Sequence, residues 1–495
     1  MTQTQSGRNR NPDAEARSSV EMGAEPGARR LRGNLGTFDL SFTALAFNAP
    51  LFVVGGFIPV IIAFGNGLGA PATFVAMGAI LLIFAAGLNA MAIRMKRPGA
   101  FYAYIARGLG RPPGLAGAFI AILTYVALGA GTLSLFAVAS GDFFSIVLGI
   151  TESGPWWIWA LLGWAVVILL SLFNVQVSAK VLGVALVLEV LIIAIWNVRI
   201  FFEGGPDGSA VPVLGHFFDG SFALAFLFVA MCMTGFESLQ VFREETRDPT
   251  RTVPRATFVV VIFLAVFYGI TTYAYIISEG FGQGLVDGGA DPTGTVLSSM
   301  ERYLGVVAGN VASTLMLTSG FACALAVQNI ASRYLYALGR DRVLPAKLGR
   351  ANSRHGSPMV ASTVSGVLIL LVILIPALGQ LDPITAYTVL LGLGGYGILI
   401  LWVATSISVF VFFRRNKDET ASLWSSTLAP ILSLIALGTV LVLATLNLGD
   451  LVGNPELANV ILVGAGIVAA AGIATALWWR SRDRAVYDSI GQQGE

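Results

Sequence analysis

From residue 41 to residue 479 the chain repeats one pattern: an apolar run, a short polar connection, then another apolar run. About 20 apolar residues in helical form cross the hydrocarbon of a bilayer. Hydrocarbon admits only backbone whose N–H and C=O groups find partners, which for such runs means helices. Twelve runs are read, at 41–64, 70–94, 113–143, 156–173, 178–202, 221–242, 257–277, 305–334, 359–378, 384–413, 427–448 and 458–479. The expected fold class is an all-α polytopic membrane protein with 12 transmembrane helices. Composition agrees, since only 12% of residues are charged, about half the share in an ordinary soluble domain.

Lysine and arginine test the count, because short cytoplasmic loops retain them. With both termini in the cytoplasm, 28 of the 30 Lys and Arg residues fall on that side, and only Arg199 and Arg302 fall on the other. A missed or surplus span would scramble this alternation. Residues 1–35 carry charges of both signs and no apolar core, so they read as a cytoplasmic polar tail and not as a signal peptide. The expected layout is a transporter core at 36–413, helices 11 and 12 at 414–479 and a cytoplasmic tail at 480–495. The expected location is the plasma membrane.

A repeat lies beneath the spans. Asn48-Ala49-Pro50, and then Gly55-Gly56, interrupt the first, and Thr234-Gly235 interrupts the sixth, 185 residues after Pro50. The same offset carries the second span onto the seventh and the third onto the region of the eighth. The core therefore divides into repeats at about 36–203 and 221–413, five helices each, with two helices left over. Five is odd, so the second repeat enters from the opposite face and is inverted. Paired interrupted helices at matching positions point to the binding site of a secondary transporter. The amino ends of half-helices offer N–H groups to a carboxylate, and the carboxyl ends offer C=O groups to an ammonium or a cation. Taken singly, the same proline and glycines would read as ordinary kinks or packing contacts.

Two carboxyl groups lie deep in the spans, Glu189 in the fifth and Glu237 just after the sixth-span break. An unpaired charge there costs about 2.5–3.5 kcal/mol on the insertion scale, so each should face the interior. Either carries a proton across, or serves as a protonated hydrogen-bonding strut. Enzyme chemistry finds little material. His216 and His355 fall in loops, Cys232 and Cys323 fall in spans, and no GxxxxGK[ST] phosphate loop occurs. No cofactor, metal or nucleic-acid partner is expected.

The run Met233-Thr234-Gly235-Phe236-Glu237-Ser238, then Glu244-Glu245-Thr246-Arg247-Asp248-Pro249 and Pro254-Arg255-Ala256, resembles the amino acid–polyamine–organocation permeases. In that family a G-F-E break precedes E-E-T-x-x-P-x-x-x-x-P-x-A. Pro98-Gly99-Ala100-Phe101-Tyr102-Ala103-Tyr104, ahead of Gly108-Leu109-Gly110, is similar to its re-entrant segment. Arg333 and Tyr336-Ala337-Leu338-Gly339-Arg340-Asp341, with Pro345 and Pro358, resemble the end of its eighth span. The likeness runs from the first span to the ninth.

The resemblance implies alternating-access transport of amino acids or related amines, with main-chain atoms of the two breaks holding the substrate. Here that means Asn48, Ala49, Pro50, Leu51 and Phe52, together with Met231, Thr234, Gly235 and Phe236. Met231 stands where relatives place an aromatic lid. Glu237 matches the gate carboxylate and Tyr125 its tyrosine partner. Glu189 falls near a lysine of some proton-coupled relatives, where an acid carries a proton or helps ligate a cation. Pro50-Leu51-Phe52 stands in the register where relatives show G-x-G. Glu244 and Glu245 are expected to form an inner gate with Arg333 and Arg340, the alternative being arginines that only anchor topology. The lining suggested by Leu128, Gly129, Met231 and Phe236 points to a neutral or apolar substrate side chain. A proton, or else sodium, is the expected coupling ion. The competing readings are an amine or polyamine antiporter without proton coupling, and a membrane sensor that binds without transporting.

Overall fold

A computed structural model describes residues 36–95, 100–150, 154–172, 179–237, 239–240, 246, 248–352, 357–416 and 421–492. Among them the chain is helical, and no named strand occurs. The elements that build the site are α1 (Thr37–Asn48), α2 (Pro50–Ile61), α3 (Ala70–Ile93), α4 (Phe101–Leu109), α5 (Arg111–Leu148), α6 (Trp156–Leu172), α7 (Ala179–Glu203) and α8 (Phe222–Cys232). They continue with α9 (Pro249–Glu279), α10 (Gln283–Ala290), α11 (Pro292–Leu304), α12 (Val306–Arg340), α13 (Met359–Leu378) and α14 (Pro383–Arg415). The last are α15 (Ala429–Leu446), α16 (Leu448–Val452), α17 (Pro455–Arg482) and α18 (Arg484–Ser489).

Nine helical stretches among the described residues are long and apolar enough to cross a membrane, and one of these, 50–93, joins α2 to α3. Large apolar side chains stand exposed along their outer faces. Leu188, Leu191, Ile195 and Val198 do so on α7, and Val460, Val463 and Ile467 on α17. A water-soluble surface does not leave apolar area of this extent uncovered, whereas lipid covers it at no cost.

Several helices outrun the apolar runs that mark them in the sequence. α9 begins at Pro249, not at 257, and α12 continues to Arg340, not 334. Hydropathy locates the hydrocarbon-crossing part, but once a helix is nucleated each further residue adds a hydrogen bond, and polar residues such as Thr250 and Arg251 extend it. The sixth run behaves in the opposite way, being α-helical among its described residues only through Cys232. One expectation is corrected. Gly55-Gly56 does not interrupt the first span, because both lie inside the continuous helix α2. Their missing side chains make room for Met316 of α12 and Leu135 of α5, so they serve helix packing, the usual work of small residues between membrane helices.

The centre of the bundle is α5, which packs against α12 and α14, while α3 packs against α9. The far end of α2 is tied to the approach of α8. The Asn66 amide donates to the carbonyl of Phe217 at 2.9 Å, and the Ser221 N–H donates to the carbonyl of Gly65 at 2.8 Å. Both interrupted elements are thereby brought alongside each other within the bundle.

Candidate functional site: the two helix breaks

The first break has a local cause. Pro50 has no N–H for the preceding turn, and its ring disfavours helical geometry at the residue before it. Ala49 leaves the helix for φ 53° and ψ 70°, the left-handed region, which costs a non-glycine residue about 1–2 kcal/mol. Pro50 opens α2, and the Val53 N–H returns to the Ala49 carbonyl at 3.0 Å. The Leu51 N–H donates to Oε2 of Glu189 at 3.1 Å, and the Ser319 hydroxyl of α12 donates to the same oxygen at 2.9 Å. Glu189 is 4% exposed. A helix start carries roughly half a positive charge, so the anion position at the start of α2 is filled by the chain's own carboxyl group.

The second break ends α8. Met233 N–H bonds back to the Val229 carbonyl at 3.1 Å, and Thr234 bonds to Met231 through its N–H at 3.1 Å and its hydroxyl at 2.9 Å. Gly235 then turns the chain at φ 105°, a conformation only glycine adopts without strain. Its N–H donates to Oε2 of Glu237 at 2.9 Å, so this carboxyl group braces the turn it follows. Phe236 is fully buried, with ring centroids 5.8 Å from Trp402 and 6.3 Å from Phe84.

A single side chain joins the two breaks. The amide nitrogen of Asn48, the last residue of α1, donates to the Cys232 carbonyl at 2.8 Å and to the Thr234 carbonyl at 3.1 Å. Its oxygen accepts the hydroxyl of Tyr268 on α9. The carbonyls that close α8 are thus engaged by an N–H₂ group, the same kind of donor that an ammonium ion presents. Cys232 itself is buried and reduced, and Cys323 is a half-buried free thiol.

The remaining expected residues surround this junction unevenly. Leu128 of α5 lies against Gly394 of α14, and Met231 lies against the adjacent Gly395, so these two share one wall. Gly129 faces Ile369 and Val327 instead, and its bare backbone admits those side chains. Phe52 packs on Gly320 of α12. Tyr125 is buried with its ring 5.5 Å from that of Tyr334, and both lie close enough to Glu237 for electrostatic interaction. Among the described residues no hydrogen bond joins Tyr125 to Glu237, whose bond goes to Gly235.

In the last turns of α12, Arg333 and Arg340 are exposed, while their expected partners Glu244 and Glu245 lie outside the described residues, as do Pro98, Gly99, Ser238, Arg247 and His355. His216 is exposed and pairs with Asp219 at 2.6 Å, the role of a surface residue. Asp248 is solvated ahead of α9, and the Thr250 hydroxyl at 2.7 Å holds its carboxyl group below the ordinary range. Asp341, fully buried, accepts the Tyr102 hydroxyl of α4 at 3.3 Å and the Gly491 N–H at 3.2 Å, which fastens the tail that follows α18. Tyr268, Ser319 and Tyr334, which touch Asn48, Glu189 and Tyr125 in turn, are residues that the sequence pattern did not single out. Each is an ordinary-looking residue inside an apolar run, made significant only by a partner on another helix.

A family model described as amino acid permease matches residues 49–484. The branched-chain amino acid permease BcaP of Bacillus subtilis (strain 168) is 23% identical over 421 residues, covering 80% of this chain and 84% of that protein. The amino-acid permease RocE of the same organism is 24% identical over 319 residues, 61% of this chain and 65% of RocE. The aromatic amino acid transport protein AroP of Escherichia coli O6:H1 is 26% identical over 275 residues, 54% of this chain and 58% of AroP.

Proposed function

Since the chain belongs to the amino acid permease family, and is a membrane permease and not an enzyme, we propose that it carries neutral or apolar amino acids by proton-coupled alternating access. On this reading α1 with α2, and α8 with the turn after it, are the broken members of two inverted five-helix repeats. α15 and α17 are the two additional spans, which makes twelve, with both termini in the cytoplasm and the protein in the plasma membrane. The packing of α3 on α9 and of α5 on α12 supports the repeat, because these are the elements that the 185-residue offset relates.

The observation that carries the proposal is the Asn48 side chain, which bonds the end of α1 to the end of α8. Two broken helices held together at their breaks expose one set of N–H groups and one set of carbonyls to the same small volume. An amino acid needs both. Its ammonium competes with the Asn48 amide for the carbonyls of Cys232 and Thr234, and its side chain meets the wall of Leu128, Met231 and Phe236.

Coupling follows from Glu189. Its carboxyl group holds the Leu51 N–H that a substrate carboxylate needs. Two carboxylates at one helix start repel each other, so the substrate displaces Glu189 only when that group has taken a proton. Proton and substrate then load together. Glu237, beside Tyr125, is the next carboxyl group available to pass the proton inward. The inner gate is the ion pairing of Glu244 and Glu245 with Arg333 and Arg340.

A second reading, amine exchange, is favoured by one observation. Pro50 has no N–H and that of Leu51 is taken, so this helix start offers a carboxylate less than a glycine-bearing break would. Purified protein in liposomes, given a panel of labelled amino acids and amines, separates the readings. A proton gradient alone should drive saturable uptake of a neutral amino acid. Uptake driven only by sodium, or only by amine preloaded inside, contradicts the proton reading. Binding without uptake identifies a sensor.

A further inference from the structure

Glu189 faces two ways. Both of its hydrogen bonds end on Oε2, and among the described residues Oε1 takes none. Glu189 also walls a cavity of about 570 Å³ lined by α5, α6, α7 and α12 and open on one side. That volume is in the range of small-molecule pockets.

The lining is almost wholly apolar. Phe136, Phe144, Trp159 and Phe321 supply rings, and Leu162 and Val166 form a rim. These last two are 52% and 46% exposed, on the lipid-facing surface. The hydroxyls in the wall are already committed as donors. Ser140 bonds to the Phe136 carbonyl at 2.7 Å, Thr318 to the Leu315 carbonyl at 3.0 Å, and Ser319 to Glu189 itself. Their oxygens can accept but their protons are spent. The cavity therefore presents acceptors only: the second carboxyl oxygen and the hydroxyl oxygens of the buried Ser140 and Ser319, with that of the exposed Thr318 nearer the apolar rim.

A hydrocarbon would fill the volume and leave those acceptors unmet, and an anion would meet a carboxylate. A primary ammonium has three N–H donors and no acceptor, and aromatic faces stabilise a cation beside them. We propose that this cavity binds small apolar amines that arrive from the bilayer, with the ammonium on Oε1 of Glu189 and the hydrocarbon among the rings. It is distinct from the junction at Asn48. An ammonium here would keep Glu189 ionised on Leu51 and so inhibit uptake, a consequence that rests on the coupling proposed above; the binding itself does not.

The test is equilibrium binding of labelled hexylamine to the full chain in nanodiscs of zwitterionic lipid. Unlabelled hexylamine, hexanol and hexanoate are the competitors. The expected result is saturable binding displaced by the amine and not by the alcohol or the acid. Ala322→Phe, which puts a ring into the cavity from its α12 wall and leaves the Glu189 side chain in place, should abolish it. Glu189→Gln, which retains an acceptor for Leu51 and Ser319 but removes the charge, should weaken it about tenfold or more. Hexanol competing as well as hexylamine would make the cavity a lipid slot and overturn the proposal. Binding unchanged by Ala322→Phe would overturn it too, by placing the amine elsewhere. If Glu189→Gln fails to fold, the competitor series and Ala322→Phe still decide. Binding without inhibition of uptake would leave this site standing and count against the coupling scheme.

Discussion

Replacing Asn48 by alanine removes three hydrogen bonds at once: two to the carbonyls of Cys232 and Thr234, and one from the Tyr268 hydroxyl. Interhelical hydrogen bonds in membranes average about 0.6 kcal/mol, which sets a floor of about 2 kcal/mol for the set. Asn48 is buried, so the abandoned carbonyls and hydroxyl add desolvation, and a buried group left unmet costs about 1–3 kcal/mol. With one such unmet group added to the floor, a total of about 3–5 kcal/mol is expected, and with about 1.4 kcal/mol per factor of ten the loss in kcat/KM is about 100- to 4,000-fold. Asn48→Asp should be worse than alanine, because it turns oxygen toward two carbonyl oxygens. Tyr268→Phe removes one bond and should cost about 1 kcal/mol, near fivefold. The assay is initial uptake into liposomes, normalised to inserted protein, alongside thermal melting of each variant. A double-mutant cycle of Asn48→Ala with Tyr268→Phe should show coupling of about 0.5 kcal/mol or more. Asn48→Ala with kcat/KM within twofold of the parent and an unaltered melting temperature would refute the bridge between the breaks.

Other outcomes follow from single positions. Ala49→Gly relieves a left-handed alanine while adding freedom to the unfolded chain, for a net gain of up to about 1 kcal/mol; Ala49→Val should lower the melting temperature, and no change would contradict the strain argument. Glu237→Gln should flatten the pH dependence of uptake, and a profile identical to the parent would remove Glu237 from the proton path. Asp341→Ala removes the acceptor for Tyr102 and for the tail at Gly491, costing about 1–3 kcal/mol, and limited proteolysis should cut after residue 482 faster than in the parent; equal rates would mean that the tail is held without Asp341.

What could be read from the sequence was what proline, glycine and charge write locally. Pro50 and Gly235 mark both breaks because each imposes its own backbone geometry, and the chain turns at Ala49 and Gly235 as expected. Glu189 was legible as a deep carboxyl group, since charge inside an apolar run demands a reason. Its partners were not legible, because Leu51 and Ser319 lie 138 and 130 residues away and reach it only through packing. Asn48 was singled out for its place beside Pro50, yet its bridging role depends on carbonyls 184 and 186 residues distant. Gly55-Gly56 misled for a physical reason: glycine permits a break and also permits close packing, and only Met316 and Leu135 opposite reveal which. Helix ends beyond the hydrocarbon were invisible to hydropathy because polar residues continue a helix as readily as they begin a loop.

The exchange of carboxyl groups at the start of α2 can be observed directly. Infrared difference spectra should be taken as the amino acid chosen by the liposome panel is added to the parent protein and to Glu189→Gln. Binding to the parent should raise a protonated-carboxyl band that is missing from Glu189→Gln, with one proton taken up per substrate bound. Substrate that binds while Glu189 stays ionised, with no proton uptake, would contradict the account.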